Sequence, residues 1–471
     1  MLTPAARSTV LALDLLIALY FVLWSISQIA MGLFAAAYLR LHQLRNTRRA
    51  RALVAKLAAS PLVSVIVPAY NEELTIVQSI RALLGLDYRS FEIVIVNDGS
   101  SDDTLAVLTG TFDLVAAPVA FAQPLITAPV RGIYRSMSEP TVVVIDKENG
   151  RCKSDAVNAG INAASGALVL VIDADTILET DALSRAVLPF LEDATTVAVG
   201  GNIGLSNGCR IEDGRMSDIS LPRSWLARFQ LVEYMRGFLL FRLACASRNA
   251  VVLISGAFGL FLRDIVIAVG GFDPTAIGED MDLTMRIQRY CRDLRRPFRI
   301  SFDPNPLAWT QAPEDRQSLE GQRCRWRRGL LQVLWRHRRM FANPRYGVVG
   351  LGVLPYVAVI EGMGPLLEVS GYAIVTAAAL FGFVDWWSWA ALMAIAVLCG
   401  IAVTLVAVLM NDVVTGKYVR RGDLARLVAV VFLENCGYRQ LNAWWGLVGT
   451  VQTLTGRGGW GVMKRKAFEG I

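Results

Sequence analysis

The sequence predicts an α/β domain built on an open, mostly parallel sheet, joined to α-helical transmembrane and interfacial segments. Three observations carry this. Between residues 60 and 312, short β-branched runs alternate with helical patterns, the signature of α/β domains. Several of those runs end in a carboxylate: Asp98, Asp146 or Asp173. The longest apolar stretches lie outside this region, at residues 10–41 and 348–410, and a spanning helix needs about 20 mostly apolar residues.

Residues 10–41 hold only Asp14 and Arg40 as charges, which predicts one span. The stretch is longer than the roughly 7–15 residues of a signal-peptide core, and its basic cluster follows it, so it reads as a retained helix. Six basic and no acidic residues occupy 40–56. The positive-inside rule then puts that end in the cytoplasm and the N-terminus outside. Residues 1–59 are thus expected to be a transmembrane helix and basic linker, followed by a cytoplasmic domain at 60–312. In that domain the runs at 62–68, 91–96, 142–146 and 167–172 read as strands, and 75–84 and 154–164 as the clearest helices. Residues 114–134 are apolar and proline-punctuated without a clear period, and read as an insertion covering one sheet edge. Residues 225–249 read as one long helix.

Past Pro313, arginines alternate with Leu330, Leu331, Val333, Leu334 and Trp335. This predicts interfacial helices at 313–345, aromatics toward the bilayer and arginines toward headgroups. Residues 346–456 are expected to hold the C-terminal transmembrane helices. The first, 348–384, is interrupted by Gly362, Gly364 and Pro365 and carries Glu361 and Glu368. It is either a span whose carboxylates face a polar cavity or a partly in-plane helix. Residues 386–410 read as a clean span opening on Trp386, Trp387 and Trp389. Residues 424–450 carry Glu434, Asn435, Arg439 and Gln440, and form either a span along a polar path or a hairpin or re-entrant element. The basic tail, 457–471, is expected in the cytoplasm, completing a multi-pass inner-membrane protein.

The net charge is +7, but the excess sits at 40–56, 323–339 and 457–466, beside apolar segments. That pattern fits anionic lipid headgroups and excludes nucleic acid as the partner. Seven cysteines show no paired metal-type spacing and read as reduced packing residues. With only His42 and His337 in the chain, a histidine-ligated metal or a histidine-based triad is excluded.

Four motifs, with one lysine between them, carry chemistry. Asp173-Ala174-Asp175 follows the run at 167–172, placing two carboxylates two residues apart at a strand end. Mg²⁺ or Mn²⁺ takes carboxylate and phosphate oxygens together, whereas the same pair in isolation is a solvated turn. Asp98, at the end of another strand, can accept hydrogen bonds from a base or ribose, or simply make an Asx-turn at Asp98-Gly99. Lys153 opens a helix carrying Asp155 and Asn158, where a cation beside free backbone N–H groups suits a pyrophosphate. Gly278-Glu279-Asp280 starts an amphipathic segment, as helix-capping acids or as a base for an acceptor hydroxyl. Because ligands in open parallel sheets bind beyond the carboxyl ends of the strands, Asp98, Asp173 and Asp175 are expected to share one cleft. The fourth motif is Gln322-Arg323-Cys324-Arg325-Trp326.

In this order, the four motifs resemble those of the processive, membrane-integrated family 2 inverting glycosyltransferases, the group of cellulose, chitin, hyaluronan and poly-N-acetylglucosamine synthases. The likeness runs from Val63 to about Arg328, and its most specific element is Gln-x-x-Arg-Trp at Gln322, Arg325 and Trp326. The resemblance implies a GT-A type glycosyltransferase domain, a UDP-sugar donor, a Mg²⁺ or Mn²⁺ cofactor and a polysaccharide acceptor. It implies that Asp98 binds the uridine, Lys153 and Arg325 the diphosphate, and Asp175 the metal, with Asp173 close to the donor. Asp280 would be the general base, and Trp326 would stack under the acceptor sugar beside Gln322 and Glu279. Ser255-Gly256-Ala257-Phe258 resembles the family's acceptor-side loop, making Phe258 an acceptor contact.

Two departures stand out. Gly278 replaces a threonine common before Glu-Asp, removing a capping hydroxyl. Three or four spans are fewer than in cellulose synthase, so a homo-oligomer or an export partner is expected to complete a secretion path. Two other readings stay open: a non-processive transferase of the same fold adding one sugar to a polyprenyl phosphate or glycolipid, and an inactive polymer-binding subunit.

Overall fold

The chain begins with a long helix, α1 (Pro4–Arg45), within which Val22–Gln43 is long and apolar enough to cross a membrane. Ile29 and Leu33 are exposed along it, as lipid-facing residues would be. Its far end is tied to the sheet, because the Tyr38 hydroxyl donates to Phe302 O at 2.9 Å and accepts from Phe302 N at 3.2 Å. A computed structural model describes residues 4–45, 60–117, 122–212, 215–380, 386–416 and 421–458. Most of the basic linker and the basic tail lie outside these residues.

The α/β domain then follows as the sequence predicts. β1 (Val63–Ala69), α2 (Ile76–Leu84), β2 (Phe91–Asn97), α3 (Thr104–Phe112), β3 (Leu114–Ala116), β4 (Val130–Ser136), β5 (Val142–Lys147), α4 (Lys153–Ala163) and β6 (Leu168–Val171) form its first half. β5, β2, β1 and β6 are parallel neighbours, covered on both faces, so they read as continuous apolar runs instead of alternating ones. Val65, Ile66, Val67, Ile93, Ile95, Val144, Val169 and Leu170 are all fully buried in one continuous core.

The segment expected as an edge-covering insertion instead forms the edge itself. β3 pairs antiparallel with β4, and β4 antiparallel with β5. The partial burial of β4, with neither a clear alternation nor a continuous apolar run, hid its strand character.

The second half supplies β7 (Ile177–Leu178), α5 (Ala182–Glu192), β8 (Thr196–Leu205), a small hairpin of β9 (Arg210–Glu212) and β10 (Arg215–Asp218), and α6 (Trp225–Arg236). α6 continues through a π-helical stretch, Gly237–Arg242, into Leu243–Ser247, so the long helix expected at 225–249 is present with one widened turn. β11 (Gly259–Leu262), α7 (Arg263–Ala268), α8 (Glu279–Asp293) and β12 (Arg299–Thr310) complete the domain. The sheet order is β3-β4-β5-β2-β1-β6-β11-β8-β12-β7, with β11 inserted antiparallel between β6 and β8.

α9 (Arg316–Arg336) carries the fourth motif. Asp315 caps it, its side chain accepting from Ser318 N at 2.8 Å. Three of its six arginines depart from the expectation that they face headgroups: Arg323, Arg327 and Arg328 are buried, whereas Trp326 and Trp335 are exposed. The arginines turn inward because acceptors are waiting there, Glu233 for Arg323 and backbone carbonyls for Arg327 and Arg328.

Residues 349–380 alternate π-helical segments (Val349–Val353, Val357–Met363) with α-helix and end in α10 (Gly364–Leu380). α11 (Trp386–Thr415) follows. Val349–Ala377 and Met393–Thr415 are the other stretches long and apolar enough to cross a membrane. The ambiguous region 424–450 resolves into α12 (Arg421–Leu433), a break at Gly437, and α13 (Tyr438–Thr455), which packs against α9 and α10.

Candidate active site

The ladder Ala69↔Asn97 and Ile66↔Val171 brings the carboxyl ends of β2, β1 and β6 to one edge of the sheet. Asp98, Asp173 and Asp175 follow those ends directly. They line one cavity of about 1640 Å³ together with Lys153, Glu279, Asp280, Gln322, Arg325 and Trp326. Sequence-distant motifs therefore converge on a single cleft, at the position expected for open parallel sheets.

Asp98 is buried, and its Oδ1 accepts from Lys147 Nζ at 2.5 Å and from Gly150 N at 3.0 Å. Lys147 also reaches Asp155 Oδ1 at 2.6 Å, so one ammonium is shared by two carboxylates. Gly150 is needed here because a Cβ would sit 2.4 Å from the Asp155 carboxyl.

On the other side of the cleft, Lys153 Nζ donates to Asp173 Oδ1, and to Gly256 O at 3.1 Å. The Gly256 N–H in turn donates to Asp280 Oδ2 at 3.2 Å, and Met281 N donates to Asp280 Oδ1 at 2.7 Å. One peptide thus links the lysine to the carboxylate at the start of α8.

Burial pushes the Asp280 carboxyl above its ordinary range, against the opposing pull of its backbone donors, Lys153 and Arg242. Burial, and then Asp280 itself, raise Glu279 to about 7. Burial alone would lower the Lys153 ammonium, but Asp173, Glu279 and Asp280 more than offset it and hold Lys153 above its ordinary value. Glu279 and Asp280 are thus two adjacent carboxyls both held above the ordinary carboxylate range. Activity that needs the ionised base is therefore expected to fall about tenfold per pH unit on the acid side, over a limb well above that of a solvent-exposed carboxylate. A pH profile of kcat/KM checks this, and a limb centred near pH 4 contradicts it.

α9 is clamped to the segment leading into α8. Gln332 Oε1 accepts from Ile277 N at 2.8 Å, Arg336 pairs with Asp273 at 2.6 Å, and His337 Nε2 lies 3.2 Å from Asp282 Oδ1. Gly329 allows this approach more than Gly278 does, since a Cβ on Gly278 would meet Gly329 only in ordinary contact at 3.5 Å. A Cβ on Gly329 of α9 would meet Gly278 N at 3.0 Å. Gly329→Val is expected to push α9 away and lower turnover about 10- to 100-fold although no reacting group is lost, on the scale of small misplacements of reacting groups. Steady-state kinetics on folded variant tests it, and wild-type turnover contradicts it.

Along α9, Gln322 is buried with no hydrogen bond seen to its Oε1 among the described residues. Arg323 forms a two-pronged pair with Glu233 at 2.7 and 2.8 Å and lies 4.7 Å from the Trp326 ring centre. Trp326 is 44% exposed, its ring turned into the cleft's rim near Tyr234. Burial pushes the Arg325 guanidinium down, opposed by the nearby charges of Glu279 and Asp173. Arg327 donates to Glu361 O at 2.5 Å, to Gly362 O and to Thr450 Oγ1 at 2.9 Å, satisfying carbonyls that the π-helical turn leaves open.

Nine of the ten site residues expected from sequence line this cavity. Phe258 does not. It is fully buried in the main core, because β11 begins at Gly259 and the chain turns Phe258 inward, away from any acceptor. Sequence reasoning missed Lys147, Glu233 and Arg242. Arg242 stacks 3.8 Å from the Phe238 ring centre, and burial lowers its guanidinium to about 10. The signal for Lys147 was a lysine at the end of an apolar strand, where a buried charge requires carboxylate partners.

For a divalent cation, the donor chemistry fits. Asp175 and Asp173 offer hard oxygens at the cleft, and Mg²⁺ or Mn²⁺ completes its shell with phosphate and water. Among the described residues no group of three or more His, Cys, Asp or Glu side chains is placed to hold a metal ion, so Asp173 and Asp175 would need the donor's oxygens to complete the site.

This fold and cleft define a GT-A glycosyltransferase. The chain belongs to the glycosyl transferase family group 2, whose model matches residues 168–407, and the glycosyl transferase family 2 model matches residues 64–269. Among curated proteins, the poly-beta-1,6-N-acetyl-D-glucosamine synthase of Staphylococcus aureus (strain COL) is 29% identical over 274 residues, 58% of this chain and 56% of that protein. The synthase of the same name from Staphylococcus epidermidis is 28% identical over the same span. The chain therefore spans about half the length of these relatives. Among solved structures, a mannosyltransferase from Pyrobaculum calidifontis in complex with GDP-Man and Mn2+ superposes with a TM-score of 0.53 at 18% identity, covering 90% of this chain and 99% of the other. That likeness establishes the fold.

Proposed function

We propose that this protein is a membrane-bound inverting β-glycosyltransferase that extends an extracellular polysaccharide processively from a UDP-sugar. N-acetylglucosamine is the sugar favoured, as the unit in the names of the relatives. The observation that carries the reading is the continuity of the cavity. It runs from Asp98 and Asp173 past Asp280 and Trp326 to Glu361, Glu368, Asn435 and Arg439, among the helices that hold the candidate spans. A growing chain needs such a path, and the addition of a single sugar does not.

In this reading Asp98 accepts from the uracil, and Lys153 and Arg325 neutralise the diphosphate. Asp175, with Asp173 beside it, would hold the Mg²⁺ or Mn²⁺ that offsets the charge of the departing diphosphate. Asp280 takes the proton of the acceptor hydroxyl, whose oxygen then attacks the anomeric carbon as the bond to UDP breaks. One displacement inverts the configuration. Trp326 offers its face to the acceptor ring, and Glu279 and Gln322 bind the acceptor's hydroxyls. The basic residues that follow the apolar stretch of α1 support a cytoplasmic catalytic domain in this reading.

Three arginines along the membrane end of the cavity pair with carboxylates: Arg236 with Glu434 at 2.5 Å, Arg439 with Glu368, and Arg323 with Glu233. Arg242 and Arg327 also line it without a carboxylate pair among the described residues, so the preference for a glycan acceptor rests on the path and not on charge. The test is nucleotide release from a panel of UDP-, GDP- and ADP-sugars by the purified protein in Mn²⁺. Turnover confined to UDP-sugars is expected, and turnover confined to GDP- or ADP-sugars would overturn the donor assignment.

A further inference from the structure

Lys147 takes no part in the reaction outlined above, yet it is fully buried and makes three polar contacts. Its ammonium reaches Asp98 Oδ1 at 2.5 Å, Asp155 Oδ1 at 2.6 Å and the Glu148 carbonyl at 2.6 Å. An ammonium has three N–H donors, and all three are used. Asp155 is itself held in place by Ala128 N at 3.0 Å and sits in the first turn of α4, where the helix N-terminus favours a negative charge. The triad is thus rigid on every side except that of Asp98 Oδ2.

The two oxygens of Asp98 are unequal as a result. Oδ1 has two lone-pair sites, filled by Lys147 Nζ and by Gly150 N at 3.0 Å. No hydrogen bond to Oδ2 is seen among the described residues, and Asp98 lines the cleft. A carboxylate in this state offers one acceptor oxygen. A uracil presents one ring N–H, N3–H, between two carbonyls, and matches a single acceptor. A guanine presents two adjacent donors, N1–H and the exocyclic amine, and pairs well only with both oxygens of a carboxylate.

We infer that Lys147 is a positioning residue that sets nucleobase choice, occupying one oxygen of Asp98 so that the site accepts a single-donor base and rejects a two-donor base. The inference rests on the proposed role of Asp98 at the base of the donor.

The experiment is equilibrium binding of UDP, N3-methyl-UDP and GDP to the full-length, detergent-solubilised protein. Wild type is expected to bind UDP about 10- to 100-fold more tightly than either competitor, since an unpaired or blocked donor loses a hydrogen bond to a charged group. In Lys147→Met one of the two acceptor sites of Oδ1 is freed while Gly150 N keeps the other, and the UDP-over-GDP preference is expected to shrink about tenfold even as all affinities fall. Lys147→Arg keeps Oδ1 occupied and is expected to retain the preference. The double variant Lys147→Met/Asp155→Asn removes one positive and one negative charge and so keeps the charge of the triad, for the case in which the single variant does not fold. A role in folding alone would weaken the three ligands equally and leave the ratios unchanged, and that result overturns the inference. A wild type indifferent to the base and to N3 methylation would instead defeat the reading of Asp98, and the inference with it.

Discussion

Replacing Asp280 with Asn is expected to lower sugar transfer about 100- to 10,000-fold while leaving donor affinity within a few-fold of wild type. The substitution removes a proton acceptor and little else. Asn keeps the shape of Asp, and its amide oxygen still accepts from Gly256 N or Met281 N, the two bonds that position Asp280. The donor-binding residues lie on other elements, Asp98 after β2 and Lys153 at the head of α4. Removing one of two crowded carboxyls also lets the remaining Glu279 ionise more readily, because Asp280 is the second largest cause of its raised pKa. Turnover and equilibrium binding of UDP check the two halves separately. Near-normal turnover would remove Asp280 from the role of base.

Lys153→Met should have the second largest effect, and a different one. Lys153 is the cation shared by Asp173, Glu279 and Asp280, and it holds down the pKa of both adjacent carboxyls, Glu279 and Asp280. Its side chain is 21% exposed and that of Asp173 36%, so the loss is smaller than for a fully buried pair. One charge-assisted contact to the diphosphate corresponds to about 10- to 100-fold in kcat/KM. In addition, the acid limb of the pH profile is expected to move to higher pH, because the carboxyls lose their neighbouring cation and protonate more easily. A lysine that served only to brace Gly256 O would leave the limb where it was.

Much of the catalytic cleft was legible in the residues themselves. Parallel strands buried on both faces announce themselves as β-branched runs, and carboxylates that follow such runs must gather at one sheet edge. That logic placed Asp98, Asp173 and Asp175 correctly. Periodicity could not place Phe258, since one aromatic at the mouth of a strand fits a core or a cleft equally well. Nor could it orient the arginines of α9. A basic amphipathic pattern describes a membrane-surface helix and a helix buried against carboxylates and carbonyls in the same letters. Only the tertiary partners, Glu233 and the carbonyls of Glu361 and Gly362, decide between them. Lys147 was hidden for a related reason, because its carboxylate partners lie 49 residues before it and 8 after it, and a lysine becomes informative only once it is known to be buried.

The π-helical turns were also beyond sequence reading. Gly362, Gly364 and Pro365 marked a break at 348–384, but the outcome is a continuous helix whose widened turn is bridged by Arg327 from α9. This bridge ties the motif helix to the helix carrying Glu361 and Glu368.

The central claim is that one chain joins a donor cleft to a polymer path. Its most direct test is incubation of the purified, detergent-solubilised protein with radiolabelled UDP-N-acetylglucosamine and Mn²⁺, beside Asp280→Asn, with the products resolved by size. A high-molecular-weight product made by wild type and missing from the variant is the result expected. Nucleotide release accompanied only by a product of lipid size would contradict the polymer path and establish a single-addition transferase.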